Sequence, residues 1–129
     1  MDWIYVAIGF GAILGALSRY YLTLFSLQQW STKFPYGTFI VNLSGCFLIG
    51  FIAKLITEHT VAIELQKFLL VGFLGSYTTF SSYILDSANL FRHRQMKEGF
   101  FYWLGSPMLG FVFVELGIWL ARQLLESNL

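Results

Sequence analysis

"FLLVGFLGSYTTFSSYILDSANLF", residues 68–91, carries at its centre a patch that an apolar segment has little reason to contain. Between Gly75 and Tyr83 it sets five aliphatic hydroxyls (Ser76, Thr78, Thr79, Ser81, Ser82) beside two phenols. The chain around it has 129 residues, of which 57% are hydrophobic and 12% charged. An ordinary soluble domain carries about 25% charged residues, so this composition would leave a very large apolar surface facing water. A lipid-embedded chain resolves that conflict, and the hydroxyl patch then has to be explained at membrane depth.

Outward from the patch, four segments are long and apolar enough to span: residues 3–27, 36–56, 63–90 and 100–122. The first is interrupted only by Arg19, residues 36–53 carry no charge, the third holds Glu64, Lys67 and Asp86, and residues 100–121 hold only Glu115. Short polar stretches separate them, so the expected architecture is an all-α membrane protein, with residues 1–129 forming a single four-helix transmembrane domain. No basic residue precedes the first apolar run, so that run is expected to remain as a span and not to be cleaved as a signal peptide. Trp3, Tyr5, Trp30, Tyr36, Tyr102 and Trp103 fall near segment ends, where amphipathic rings rest at headgroups. "GAILG", residues 11–15, matches a small-residue motif that lets helix backbones approach.

The third segment is too long for its task. Its 28 residues would extend about 42 Å as a helix, against a hydrocarbon core of about 30 Å, so it tilts or it is broken. Small and hydroxylated residues from Gly72 to Ser82 tolerate unwinding, because Gly accepts unusual dihedrals and hydroxyls satisfy freed backbone groups. The third helix is therefore expected to break near its middle. Carbonyls exposed there can hold a hard cation such as Na⁺; the competing reading has Ser and Thr bonding back to their own helix with no ion involved. Phe80 and Tyr83, three apart, share one helix face, and their ring edges are weakly positive.

Other polar groups lie at depth. Asn42, within an uncharged span, offers two donors and one acceptor, either for a bond between helices or for an ion pathway. Tyr102 and Ser106, four apart, place hydroxyls along the fourth segment, and Pro107 is expected to kink it. Arg19 is near enough to its segment end to snorkel, or else forms an anion-attracting vestibule. Asp86 and Glu115 are costly if they face lipid. Cys46 is the only cysteine, which excludes an internal disulfide, and it reads as a small buried hydrophobe. His59 and His93 have no ligand-spaced partners, and no Ser/His/Asp, Cys/His or metal-ligand constellation suggests an enzyme.

The formal net charge of +1 argues against nucleic acid as a partner. Alternating spans place Lys54, Lys67 and Arg122 on one side and Lys33, Arg92, Arg94 and Lys97 on the other. That near balance predicts no firm orientation. A chain inserting both ways would form antiparallel, dual-topology dimers; the alternative is one orientation with a weak signal.

"GFGAILGALSRY" at 9–20, "PYGTFIVNLSGCFLIG" at 35–50 and "GFLGSYTTFSS" at 72–82 together resemble the Fluc (CrcB) family of fluoride-specific channels. The resemblance implies an antiparallel dimer of four-helix subunits in the cell (inner) membrane, a structural Na⁺ at the dimer centre that is not transported, and passive exit of cytoplasmic fluoride that reduces its toxicity. Carried over by position, the backbone carbonyls of Gly75 and Thr78 would coordinate Na⁺. Asn42 and Phe80 match pore residues, Arg19 the vestibule arginine, and Tyr102 and Ser106 the start of a hydroxyl track; Thr79, Ser81 and Ser82 belong to the same pathway.

The chain also departs from that pattern. Tyr83 stands where the family has a second pore phenylalanine, and Gly110, Val114 and Glu115 stand where the fourth helix continues with Ser and Thr. A hydroxyl on Tyr83 is expected to hold fluoride more tightly and slow its passage, so that Phe would speed efflux. A homodimeric fluoride channel is the leading reading. The loss of the hydroxyl track admits a second, one subunit of a heterodimer whose paralogue supplies the working pore. A small multidrug antiporter would need a carboxylate deep in the first segment, and there is none.

Overall fold

Asp2 opens the first helix by accepting a hydrogen bond from the Ile4 amide at 3.1 Å, which satisfies one of the amides that a helix start leaves orphaned. The computed structural model describes residues 2–30 and 33–127. Their order is α1 (Trp3–Gln29), α2 (Tyr36–Glu58), α3 (Ile63–Gln66), a π-helical stretch Lys67–Phe73, α4 (Leu74–Tyr77), α5 (Phe80–Arg92) and α6 (Met96–Ser127). They make four spans long and apolar enough to cross a membrane, the third running from Ile63 to Arg92. The chain is thus an all-helical, multi-pass membrane protein.

Every span runs past the last apolar residue that the sequence suggests. In α2 the extra turn is held by Lys54, which meets Glu58 at 2.7 Å in an i,i+4 pair. α6 starts at Met96, four residues earlier than residue 100, because the turn before it is very tight. Arg94 adopts φ 57, the Gln95 amide donates to the Leu90 carbonyl at 2.9 Å and the Arg94 amide to Phe91 at 3.1 Å. That is the αL closure with which helices commonly end, here built without glycine. Pro107 lies inside α6, which continues through it as one helix.

The third span is more helical than its small residues suggest. Gly72 belongs to the π-helical stretch and Gly75 to α4, and only Thr78 (φ −81, ψ 155) and Thr79 (φ −146, ψ 119) are extended, within a span otherwise joined from end to end. Two adjacent β-branched residues favour extended dihedrals. Their hydroxyls then finish the two helix ends: Thr78 Oγ1 donates to the Leu74 carbonyl at 2.9 Å, and Thr79 Oγ1 accepts from the Ser82 amide at 3.2 Å.

Small residues bring the spans together. Gly11 and Gly15 place α1 against the backbone of Gly72 and Phe73, so the small-residue motif is spent on packing within the chain. On the other side of the bundle, Gly50 lies on the Val114 backbone and Gly117 on that of Phe47, with Gly110 beside Cys46. Phe39 beside Tyr102, Cys46 beside Gly110 and Gly50 on Val114 advance together, so α2 and α6 run in the same direction. Val41, Leu74 and Tyr77 form one buried cluster and Tyr83, Leu90 and Tyr102 another, while Tyr5, Phe10 and Phe111 are among the many exposed rings that suit a lipid surround.

Candidate functional site

Asn42 clamps the extended residues. Its Nδ2 donates to the Thr79 carbonyl at 2.9 Å, and its Oδ1 accepts from the Thr79 amide at 2.8 Å. One side chain of α2 thereby meets both main-chain polar groups of the residue that caps α5. The interruption takes the helical donors from the carbonyls of Gly75, Ser76, Tyr77 and Thr78. In an unbroken helix the Thr79 amide would serve the Gly75 carbonyl and the Ser82 amide that of Thr78. The first instead goes to Asn42 and the second to Thr79 Oγ1. Gly75 is exposed, and a Cβ there would meet only the Leu70 carbonyl oxygen, at 3.9 Å.

Beside this clamp is a cavity of about 400 Å³ between α2, α5 and α6, lined by Asn42, Thr78, Thr79, Phe80, Tyr83 and Ser106 among others. Phe80 projects into open space at 74% exposure, and its ring centroid lies 5.7 Å from that of Tyr83. The Ser106 hydroxyl is buried without a hydrogen-bond partner among the described residues. The Tyr83 hydroxyl is engaged: it donates to the Trp103 carbonyl, so it is not the free fluoride donor that the sequence suggested. The cavity lining therefore holds an amide hydrogen of Asn42, the unpaired Ser106 hydroxyl and ring edges, and no carboxylate among the described residues lines it. Such a lining can replace the water around a small anion.

Other expected pathway residues lie elsewhere. Tyr102 is fully buried behind Tyr83, with ring centroids 5.4 Å apart and its hydroxyl 3.5 Å from Asp86 Oδ2. Asp86 in turn lines a second cavity of about 580 Å³ at one end of the bundle, together with Thr23, Ser26, Thr38, Asn89 and His93. Ser81 and Ser82 stand 3.4 and 3.2 Å from Thr79 Oγ1, forming a hydroxyl cluster at the start of α5. Arg19, half-buried on α1, lines neither cavity and sits one turn before Thr23.

Sequence reasoning missed Cys46, which lines the smaller cavity. The signal was its position four residues after Asn42, on the same helix face. It also missed the acceptor that Tyr83 uses. Pro107 marks it, since proline leaves the carbonyl four residues back without its helical donor.

A four-span bundle with a donor-lined cavity at an extended joint defines a membrane protein suited to passing a small solute. The chain belongs to the CrcB family: its model, described as "CrcB-like protein, Camphor Resistance (CrcB)", matches residues 6–118. A protein of Trichormus variabilis named fluoride-specific ion channel FluC is 45% identical over 119 residues, 91% of this chain and 87% of that one. A Synechococcus protein of the same name is 47% identical over 117 residues, 90% of each chain. A Bacillus cereus protein named fluoride-specific ion channel FluC 1 is 35% identical over 127 residues, 98% of this chain and 93% of that one.

Proposed function

We propose that this chain is a fluoride-specific channel that lets fluoride leave the cell passively across the inner membrane. One observation carries the reading: the cavity that joins Asn42, Phe80, Tyr83 and the unpartnered Ser106 hydroxyl. Fluoride is small and strongly hydrated, and it must exchange water for donors at close range. The Asn42 amide has two hydrogens, of which one bonds Thr79 and the other is available to an ion. The Ser106 hydroxyl supplies a second donor, and the edges of Phe80 and Tyr83 supply positive rims that weakly attract an anion without trapping it. Conduction follows the electrochemical gradient, so a potential negative inside drives the anion outward.

The reading includes an antiparallel dimer with a structural Na⁺ at its centre. Gly75 and Thr78 fit a cation: their carbonyls are among the four that lose helical donors at the joint, the Thr79 amide going to Asn42 and the Ser82 amide to Thr79 Oγ1. When bound, Na⁺ supplies fixed positive charge that ties those carbonyls to their counterparts in a second subunit. The balanced loop charges and the outward-facing Gly75 support the two-sided assembly.

Fluoride release from liposomes containing this chain alone, driven by a potassium diffusion potential and followed with a fluoride electrode, tests the function. Release of fluoride without chloride is expected. Silence of the chain alone overturns the self-sufficient channel. A second reading has its own observation: Gly110 and Val114 line the cavity without hydroxyls. On that reading the chain is one half of a heterodimer, and silence is relieved by adding a related chain. Replacement of Na⁺ by N-methylglucamine tests the cation, with loss of assembly or flux expected.

A further inference from the structure

Pro107 lies inside α6, and its ring nitrogen carries no hydrogen. The acceptor that loses its donor is the Trp103 carbonyl, which the proline ring also crowds away from the helix axis. A carbonyl left bare against the packed interior of a protein is expensive. The donor comes from another span: the Tyr83 hydroxyl on α5 donates to the Trp103 carbonyl.

We infer that Tyr83 and Pro107 act as a pair, in which the proline frees the Trp103 carbonyl and the tyrosine hydroxyl captures it, making Tyr83 a positioning residue for the cavity. Both residues line that cavity. The Tyr83 ring is held from three directions, by its hydroxyl bond, by Phe80 with centroids 5.7 Å apart, and by Tyr102 at 5.4 Å. Its hydroxyl hydrogen is committed, so it meets an anion with its ring edge, as phenylalanine would. Two further consequences follow. The bond ties the third span to the fourth at the level of the cavity. It also keeps a partial negative charge, the Trp103 carbonyl oxygen, covered where an anion passes.

This role reverses the sign of the expectation drawn from sequence. Tyr83→Phe removes the only hydroxyl that reaches this carbonyl among the described residues, so the ring loosens and fluoride passage slows. Pro107→Ala supplies the missing amide, after which the carbonyl is satisfied within α6 and the hydroxyl is dispensable.

A double-mutant cycle on fluoride release per incorporated protein tests the pair, and it rests on the proposed channel function for its transport readout. In the parent background Tyr83→Phe is expected to slow release about tenfold, the equivalent of about 1.4 kcal/mol and within the range for losing a buried hydrogen bond. In the Pro107→Ala background the same change is expected to alter release less than about twofold. Equal effects of Tyr83→Phe in the two backgrounds overturn the inference, since a merely bulky ring would not notice residue 107. If Tyr83→Phe alone fails to assemble, assembly of the double variant supports the pair and its failure overturns it. Retention of monodisperse protein after heating, read on the same four proteins, needs no transport. Coupling there in a chain that passes no fluoride would refute the channel and leave the pair standing.

Discussion

Asn42→Ala is the most informative single change in the joint. Asn42 satisfies the amide and the carbonyl of Thr79 at 2.8 and 2.9 Å, and the amide, at the N-cap of α5, has no place in the helical ladder. A buried polar group left without a partner costs roughly 1–3 kcal/mol, and Asn42→Ala leaves the Thr79 amide in that state. Set against a total stability of about 5–15 kcal/mol, that is enough to lower the melting temperature sharply and to let the joint between α4 and α5 shift. Asn42→Asp separates the two halves of the clamp. It keeps an acceptor for the Thr79 amide but opposes an oxygen to the Thr79 carbonyl, and it adds a negative charge to the cavity lining. The expected order of heat resistance in detergent is parent, then Asn42→Asp, then Asn42→Ala, with fluoride release abolished in both variants. An Asn42→Ala protein as heat-resistant as the parent would refute the clamp, even if its transport were lost, because Asn42 would then act on the ion alone.

Three other changes probe separate features. Ser106→Ala removes a buried hydroxyl with no partner among the described residues, so stability is expected to hold or rise by up to about 1 kcal/mol while fluoride release slows; a matching loss of stability would show that the hydroxyl is bonded within the protein. Cys46 is the only cysteine and lines the cavity, so a cationic methanethiosulfonate reagent is expected to block release in the parent and spare Cys46→Ser, with equal inhibition of both as the contrary result. Arg94 sits at φ 57, a conformation that costs an L-residue roughly 1–2 kcal/mol. Arg94→Gly is expected to recover about half of that after its greater loss of chain entropy, raising the melting temperature by a few degrees, and a lower value would contradict the reading.

Four spans were legible in the sequence because lipid imposes a length and a composition at once, and residues 36–53 could scarcely be anything else. The ends were less legible. Lys54 and Glu58 look like a boundary by charge, yet four residues apart on a helix they hold its last turn. The excess length of the third segment led to the expectation of a broken helix, which is not borne out: the span is joined from end to end, and the residues that look most flexible are not the two that turn extended. Gly72 and Gly75 stay helical, the former because Ile8 and Gly11 pack directly on it, while Thr78 and Thr79 turn extended. Their stiff β-branched side chains and capping hydroxyls decide the position of the joint more than glycine's freedom does.

The site was legible to the extent that its residues share a local period. Phe80 and Tyr83 share a face and line one cavity, as their spacing of three implies, and Asn42 and Cys46 do the same with a spacing of four. Tyr102 and Ser106 obey the same rule yet part company: Ser106 opens on the cavity, while Tyr102 is buried behind Tyr83 with its hydroxyl toward Asp86. Helical spacing fixes which residues share a face, and the neighbouring span decides what lies in front of each. The same limit hid the Tyr83 hydroxyl's partner. Pro107 announces in the sequence that the Trp103 carbonyl lacks a donor, and Tyr83 announces a donor within an apolar span, but their meeting depends on how α5 lies against α6. A polar side chain on a cavity wall can therefore complete the backbone of the next helix instead of facing the cavity, and only the acceptor it reaches distinguishes the two.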